Sequence, residues 1–164
     1  GCRSILGDPR SDKMQKNLNL KVKFRESFRP FAPSVLREDL TEWFDMNTDS
    51  PYMLLVANIN KEKKIEMTSE QNKLFGIDKL NIKRSEIPAV THVDYSARIQ
   101  TVHKNTNSRY FELLTKFKEI TSCPVLVNTS FNVNGKPIIS STEDAYSMLP
   151  SLDGIVINGV LIKE

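Results

Sequence analysis

Short apolar runs separated by polar turns define the predicted elements of this chain. Residues 125–127 form the clearest buried strand, because a proline bounds an uninterrupted apolar run there. The polar stretch 128–132 follows it, then the turn dipeptide Asn134-Gly135, then a helix predicted at 142–149. This order places amide and hydroxyl groups at one end of a sheet, where α/β proteins usually bind ligands. The same groups could equally serve only turn and cap hydrogen bonds.

Alternating apolar and basic residues at 20–26 predict a second strand. Period-two alternation would put Leu20, Val22 and Phe24 in the core. The cations on the opposite face would be Lys21, Lys23 and Arg25, about 7 Å apart. Two interpretations of this face stay open: a cradle for phosphate, or a solvated strand edge that lysines protect from aggregation.

The remaining periodicities predict further elements around these two strands. Prolines at 30 and 33 predict irregular backbone over residues 28–34. Arg98 and Gln100 share one face of an alternating segment. The polar stretch 60–86 reads as a surface insertion with some helix near 69–75. The other predicted elements are strands at 52–59, 97–102, 154–157 and 160–162, and helices at 35–44 and 109–121.

Composition indicates one ordinary globular domain. The chain has 164 residues, 39% hydrophobic and 26% charged. It has no apolar run near the roughly 20 residues of a membrane span. Two cysteines and two histidines, widely spaced, predict neither a disulfide framework nor a zinc site, so a reducing cytoplasm is expected. The missing initiator Met leads us to expect a piece excised from a longer protein.

Positive charge is concentrated near the start of the chain. The first 37 residues hold nine Lys and Arg against three Asp and Glu. A concentrated cationic segment on a nearly neutral domain favours an anionic ligand over general adhesion to nucleic acid. Arg29, between two phenylalanines, is either aimed at that ligand or simply stacked on the rings.

Sequence motifs exclude several classes of chemistry. The chain contains neither G-x-x-x-x-G-K-[ST] nor G-x-G-x-x-G, and neither G-x-S-x-G nor H-E-x-x-H. Scattered cations beside an amide-and-hydroxyl loop suit phosphoryl or nucleotidyl transfer, where positioning and charge neutralisation dominate.

Several blocks resemble the C-terminal part of the nodulation-type and antibiotic O-carbamoyltransferases. They occur in the family's order and cover nearly the whole chain except 60–86; they are residues 1–10, 22–36, 87–94, 97–102 and 128–132. The resemblance implies a YrdC-like α/β (α+β) fold, a twisted mixed sheet with flanking helices, in one domain spanning 1–164. It also implies an actin-like ATPase-type N-terminal domain of the same polypeptide, absent from this sequence.

In activity, the resemblance implies a carbamoyltransferase. The domain would bind carbamoyl phosphate and ATP with Mg²⁺, and form a carbamoyl-adenylate that the N-terminal domain transfers to an acceptor hydroxyl. No metal site is expected from this sequence alone, and no membrane partner. Two alternatives stay open: a nucleotide- or phosphate-binding module without turnover, and, less favoured, a nucleic-acid-binding domain, since basic and aromatic residues do not interleave as in single-strand binders.

The resemblance also assigns site residues. Lys23, Arg29 and Arg98 would grip phosphate oxygens as the catalytic set. The substrate- and nucleotide-binding set would be Arg3, Arg25, Asn128, Ser130 and Asn132. The chain departs from the family pattern at three places: the family commonly has asparagine at Cys2, glycine at Tyr95, and Arg-Gly-Glu-Pro at residues 134–137.

Overall fold

The fold is a five-stranded mixed sheet with flanking helices. A computed structural model describes residues 3–163. The strands are β1 Ser4–Gly7, β2 Ala32–Leu36, β3 Leu55–Asn58, β4 Ser96–Val102 and β5 Val125–Ser130, in the order β1-β5-β2-β4-β3. β2 and β4 are parallel, and the other neighbouring pairs are antiparallel. A separate hairpin joins β6 Ile155–Ile157 to β7 Val160–Ile162.

The helices are mostly short and lie around this sheet. They are α1 Met14–Lys21, α2 Leu40–Trp43, α3 Ser69–Asn72, α4 Gly76–Leu80, α5 Ser108–Thr121 and α6 Thr142–Ser147. The predicted mixed α/β single domain is therefore confirmed. Within residues 3–163, no helix combines the length and apolar character needed to cross a membrane.

The central strand and the longest helix fold as their patterns predict. Val125 and Val127 on β5 are fully buried and join the main core on one face of the sheet. On the other face, Leu114 of α5 packs in a second cluster with Leu36 and Leu126. Strong periodicity and good boundaries therefore suffice to predict these two elements.

The predicted strand at 20–26 is wrong. Helix α1 continues to Lys21, and Leu18 and Val22, four residues apart, are both buried as on one helical face. Leu20 and Phe24 are exposed, whereas Lys23 is 5% exposed. The apparent alternation is the end of a helix followed by a turn, in which Phe24 takes a φ of +44°.

The predictions for residues 28–34 and 35–44 are also partly wrong. The irregular stretch ends at Ala32, where β2 begins, and the helix is limited to the four residues of α2. Pro33 lies inside β2 without costing a ladder hydrogen bond. Leu36 N–H donates to Pro124 O, and backbone nitrogens alternate in direction along a strand, so the Pro33 nitrogen faces β4 instead of β5. The pairing of β2 with β4 starts only at Ser34, so no hydrogen bond is needed from residue 33.

The other predicted elements are found with adjusted boundaries. The 52–59 strand shortens to the edge strand β3, and the 97–102 strand extends by one residue as β4. The helix predicted at 142–149 ends at Ser147, and both closing strands form. Helix in the 60–86 stretch appears as α3 and α4, which have no buried residues.

We expect Leu114→Ala to lower the free energy of unfolding by about 2–5 kcal/mol, because it leaves a cavity between α5 and the sheet. Leu113→Ala is the matched control on the same helix: Leu113 is 45% exposed and Leu114 is 0%. The control should cost less than about 1 kcal/mol. Urea unfolding of both variants measures the difference, and equal losses would contradict this packing of α5.

We expect Phe24→Gly to be more stable than Phe24→Ala. Phe24 is 65% exposed with a φ of +44°, so either substitution removes little packing. Only glycine relieves the left-handed backbone, which costs other residues about 1 kcal/mol or more. Thermal or urea unfolding ranks the pair, and a more stable alanine variant would mean that the turn is not left-handed in solution.

Candidate functional site

A buried lysine connects the segment after α1 to the end of β5. Lys23 Nζ donates to Ser130 O and Asn132 Oδ1, each at 2.7 Å, and to Asn132 O at 3.0 Å. Its three protons are thus satisfied by neutral oxygens, and none of its described contacts is a carboxylate. Burial, and secondarily the nearby Arg25, lower the pKa of Lys23 to about 8.

Residues 22–31, here called the cation loop, carry two more positive charges. The pKa of Arg25 is lowered by burial and by Arg29, so the cations are close enough to repel one another. Glu26 is the loop's single carboxylate, and it approaches Arg29 at 3.8 Å with both side chains more than half exposed. Such a pair contributes little. The loop therefore holds a net positive charge that its own residues do not neutralise.

The polar turn after β5 completes the surroundings of Lys23. Ser130 Oγ donates to Asn132 Oδ1 at 2.5 Å, and Asn132 Nδ2 donates to Lys136 O at 2.7 Å. Both amide atoms of Asn132 are thus engaged, which fixes the direction of its side chain. The departure from the family pattern at Lys136 leaves this contact possible, because the contact uses the backbone carbonyl.

The strand register places two other predicted site residues, Arg98 and Asn128, on the same face of the sheet as Ser130. Asn128 pairs with Ala32, and Ser34, two residues on, pairs with Gln100. Since side chains of paired residues share a face and alternate along each strand, Arg98, Asn128 and Ser130 lie on the same face. Helix α5 covers the far end of this face, where Leu36 and Leu126 lie. Arg98 is exposed, and it is close enough to His92 to contribute to the lowering of that pKa, mainly caused by burial.

Asn128 serves the interior of this face. Its Nδ2 donates to Gln100 Oε1 at 2.6 Å, and Ser34 Oγ donates to the same oxygen, also at 2.6 Å. Gln100 Nε2 donates to Pro51 O at 3.2 Å. This network ties β2, β4 and β5 together, so the Asn128 amide nitrogen is already engaged.

Arg3 lies away from this face. Its Nη1 donates to Ile139 O at 3.0 Å, and the side chain is exposed. Arg3 borders a cavity of about 790 Å³, together with Lys21, Ile5, Phe131 and Ile155. Lys23, Arg25, Arg29 and Arg98 do not line this cavity. The structure therefore brings Lys23, Ser130 and Asn132 together. The Arg3 carbonyl accepts a hydrogen bond from Phe131 N–H at 3.1 Å, but the Arg3 side chain binds Ile139 O instead of these groups.

Two residues outside the predicted set help to build the site. Gln100 organises the network just described, and period-two alternation at 97–102 already placed it on the same face as Arg98. Asn19, fully buried, contacts the cation loop. The sequence signal for Asn19 is indirect: Leu18 and Val22 are four residues apart, a spacing typical of one helical face, and Asn19 lies between them.

Tyr95 and Cys2 are two of the positions at which the chain departs from the family pattern. Tyr95 has a φ of +65°, which explains why glycine suits this position. Cys2 lies outside the described residues. Among residues 3–163, no three His, Cys, Asp or Glu side chains are grouped as a metal site would need.

Comparisons with known proteins identify the relatives of this chain. Residues 1–164 match the family model described as the carbamoyltransferase C-terminus. The chain is 57% identical to the Synechocystis protein sll1178, over 100% of this chain and 27% of the relative. It is 40% identical to nodulation protein NolNO of Sinorhizobium fredii, over 100% of this chain and 22% of that protein. It is 36% identical to nodulation protein U of the same organism, over 88% of this chain and 22% of the relative.

The alignments cover all or most of this chain but only a small part of each relative. The chain spans about a quarter of their length. A family model that covers every residue, and relatives that align with this chain from its first residue to its last, together agree with the five sequence blocks that indicated the same family. The chain belongs to the carbamoyltransferase C-terminus family.

Proposed function

We propose that this domain binds carbamoyl phosphate and ATP with Mg²⁺ and forms a carbamoyl-adenylate, which the amino-terminal part of a longer polypeptide transfers to an acceptor hydroxyl. A YrdC-like character of the fold is part of the same proposal. Membership of the family supports it in general terms. The supporting observation in this chain is the buried Lys23 ammonium, bound only by neutral oxygens and adjacent to two arginines.

The electrostatics of the cation loop favour an anion. A cation stripped of water and surrounded by neutral dipoles loses hydration without gaining a counter-charge. Repulsion from Arg25 adds to this cost for Lys23. A phosphate group near Lys23 and Arg25 would reverse both effects, since it supplies the missing negative charge. Charge-assisted hydrogen bonds of this kind contribute about 1.5–3 kcal/mol each.

The proposed reaction balances as three displacements. Water attacks carbamoyl phosphate, the bond that links the carbonyl group to the phosphate breaks, and carbamate and inorganic phosphate separate with release of one proton to solvent. A carbamate oxygen then attacks the α-phosphorus of ATP, the bond to the β-phosphate oxygen breaks, and pyrophosphate leaves with the displaced electron pair. The acceptor hydroxyl later attacks the carbonyl carbon, AMP leaves, and the hydroxyl proton goes to solvent. Cations that neutralise phosphate charge are the main requirement of the adenylation step.

The residues have distinct roles in this proposal. Lys23, Arg25 and Arg29 would contact phosphate oxygens from the cation loop, and Arg98 would do so from the open sheet face. Ser130 and Asn132 hold Lys23 and would offer polar contacts when a ligand displaces them from it. Asn128 supports the sheet below. Mg²⁺ would be carried by the triphosphate, because Mg²⁺ is usually held by few carboxylates together with phosphate oxygens.

Titration calorimetry of this chain with carbamoyl phosphate and with ATP–Mg²⁺ tests the proposal. We expect saturable binding, weakened at least tenfold by Lys23→Met and by Arg98→Ala, because each removes a charge-assisted contact. Lys104→Met is the control, since Lys104 is exposed in the turn after β4 and has no described ion pair. Circular dichroism confirms that each variant is folded.

Four results would contradict the proposal or favour one of its alternatives. Absence of binding to both ligands would overturn it, as would equal affinities for the wild type and both variants. ATP bound without pyrophosphate release would instead support a phosphate-binding module without turnover. Binding of single-stranded nucleic acid that weakens steeply with salt, with neither small ligand bound, would support the third alternative.

We expect the affinity for ATP–Mg²⁺ to decrease as the pH rises through about 8. Lys23 has a pKa of about 8 in the ligand-free domain, so it is charged below that pH and neutral above it. Phosphate groups, with a second pKa of about 6, stay fully ionised over this range. Binding then requires uptake of one proton, and affinity falls by up to about tenfold per pH unit.

Calorimetry from pH 7 to 9.5 measures this dependence. The Lys23→Met variant should bind weakly with no corresponding decrease, because it lacks the titrating group. A flat wild-type profile would show that Lys23 is not in contact with the bound anion.

A further inference from the structure

Asn19 is the most completely buried polar side chain near the cation loop. It lies in the last turns of α1 and is 0% exposed. Its Nδ2 donates to Arg29 O at 2.7 Å and to Ser27 O at 3.1 Å. Its Oδ1 accepts a hydrogen bond from Arg25 Nε at 2.6 Å. The backbone repeats the connection, since Arg25 N–H donates to Asn19 O at 3.1 Å.

These partners determine the orientation of the amide. The two carbonyls can only accept and the guanidinium can only donate, so the nitrogen and oxygen of Asn19 have one arrangement that satisfies all three. One side chain therefore anchors the loop at three residues. No helix or strand of the described chain runs through residues 22–31, so these bonds take the place of regular structure.

We propose that Asn19 is a positioning residue, which holds the guanidinium of Arg25 so that its two terminal nitrogens are available to a phosphate group. This inference rests on the proposed function, since it assumes that the cation loop binds an anion. It adds a residue that neither the family resemblance nor the sequence pattern assigned to the site.

The surroundings of Arg25 support this assignment. Asn19 occupies Nε, and the guanidinium carbon lies over the Phe31 ring, 4.8 Å from the ring centroid. The described contacts of Arg25 include no carboxylate within ion-pair distance, and no protein acceptor for Nη1 or Nη2. The two terminal nitrogens form a planar pair of donors, and Asn19 and the Phe31 ring hold the guanidinium in place. Such a pair is suited to bidentate contact with phosphate.

An amide fits this role better than a carboxylate would. An aspartate at position 19 would keep the contact with Arg25 Nε and add a negative charge directly against the guanidinium. That charge would compete with the ligand for the cation. It would also lose the donor to Ser27 O and Arg29 O and place a carboxylate oxygen against these two carbonyl oxygens. Asn19 instead orients Arg25 without neutralising it.

Order in the ligand-free loop also affects affinity. A flexible arginine loses side-chain entropy when it binds, and a loop of ten residues loses backbone entropy as well. The Asn19 bonds fix the loop before the ligand arrives, so less of the binding free energy is spent on ordering it. A purely structural asparagine would change stability but not the contribution of Arg25 to binding.

A double-mutant cycle separates these two roles. ATP–Mg²⁺ affinity is measured by calorimetry for the wild type, Asn19→Asp, Arg25→Ala and the double variant, with urea unfolding of each. We expect each single variant to lose at least tenfold in affinity, and the double variant to lose less than the two single losses added together, because part of the effect of Asn19→Asp acts through Arg25. Asn105→Asp, exposed in the turn between β4 and α5, controls for the added charge.

The outcomes distinguish the two proposals. Wild-type binding with Asn19→Asp equal to wild type, or with additive losses in the cycle, would overturn the positioning role and leave the proposed function standing. No binding by the wild type would overturn both. For the case in which Asn19→Asp does not fold, NMR of the wild type provides a second measurement. The Arg25 Nε–H should exchange slowly with solvent, and rapid exchange would contradict its bond to Asn19.

Discussion

The buried ammonium of Lys23 is the interaction on which the candidate site depends. It joins two segments 107 residues apart in the sequence, through bonds to Ser130 and Asn132. Removing a cation from water is costly unless several oxygens replace the lost hydration. The turn after β5 supplies these oxygens in a fixed arrangement, because Asn132 is itself held by Ser130 Oγ and Lys136 O. The cation loop and this turn therefore depend on each other.

The pattern of apolar and polar residues predicted a helix or strand correctly where it was compatible with only one of the two. β5 and α5 have long, consistent periodicity with clear boundaries, and both form. The alternation around Lys21 and Lys23 was compatible with a strand, but also with the end of a helix whose buried residues, Leu18 and Val22, are four apart. Tertiary packing decided between them. Pro33 was misjudged for a related reason, since its tolerance in β2 depends on where pairing with β4 begins.

The candidate site was predictable in residue type but not in arrangement. Charge density singled out Lys23 and its neighbouring arginines, and the polar stretch after β5 singled out Ser130 and Asn132. Sequence could not show that these groups bind each other, because the contact is set by chain topology. The role of Asn128 differs for the same reason: its amide faces Gln100 of a strand that is not its direct neighbour in the sheet. Asn19 gave no chemical signal at all, since its importance comes entirely from burial and from the loop that returns to it.

The residues that stabilise the domain and those that destabilise it lie in different parts of the fold. The core lies between the sheet and its helices, and contains Val35, Val125 and Leu114 at full burial. The cation loop lies outside regular structure. Burial, and secondarily repulsion between its cations, lower the pKa values of both Lys23 and Arg25. Such strain opposes folding, and within the loop only the carboxylate of Glu26 partly offsets it. A sequence that needed only a stable domain would gain by placing a carboxylate near Lys23. The neutral oxygens of Ser130 and Asn132 found there preserve the positive charge, which is consistent with a site whose counter-charge arrives with its ligand.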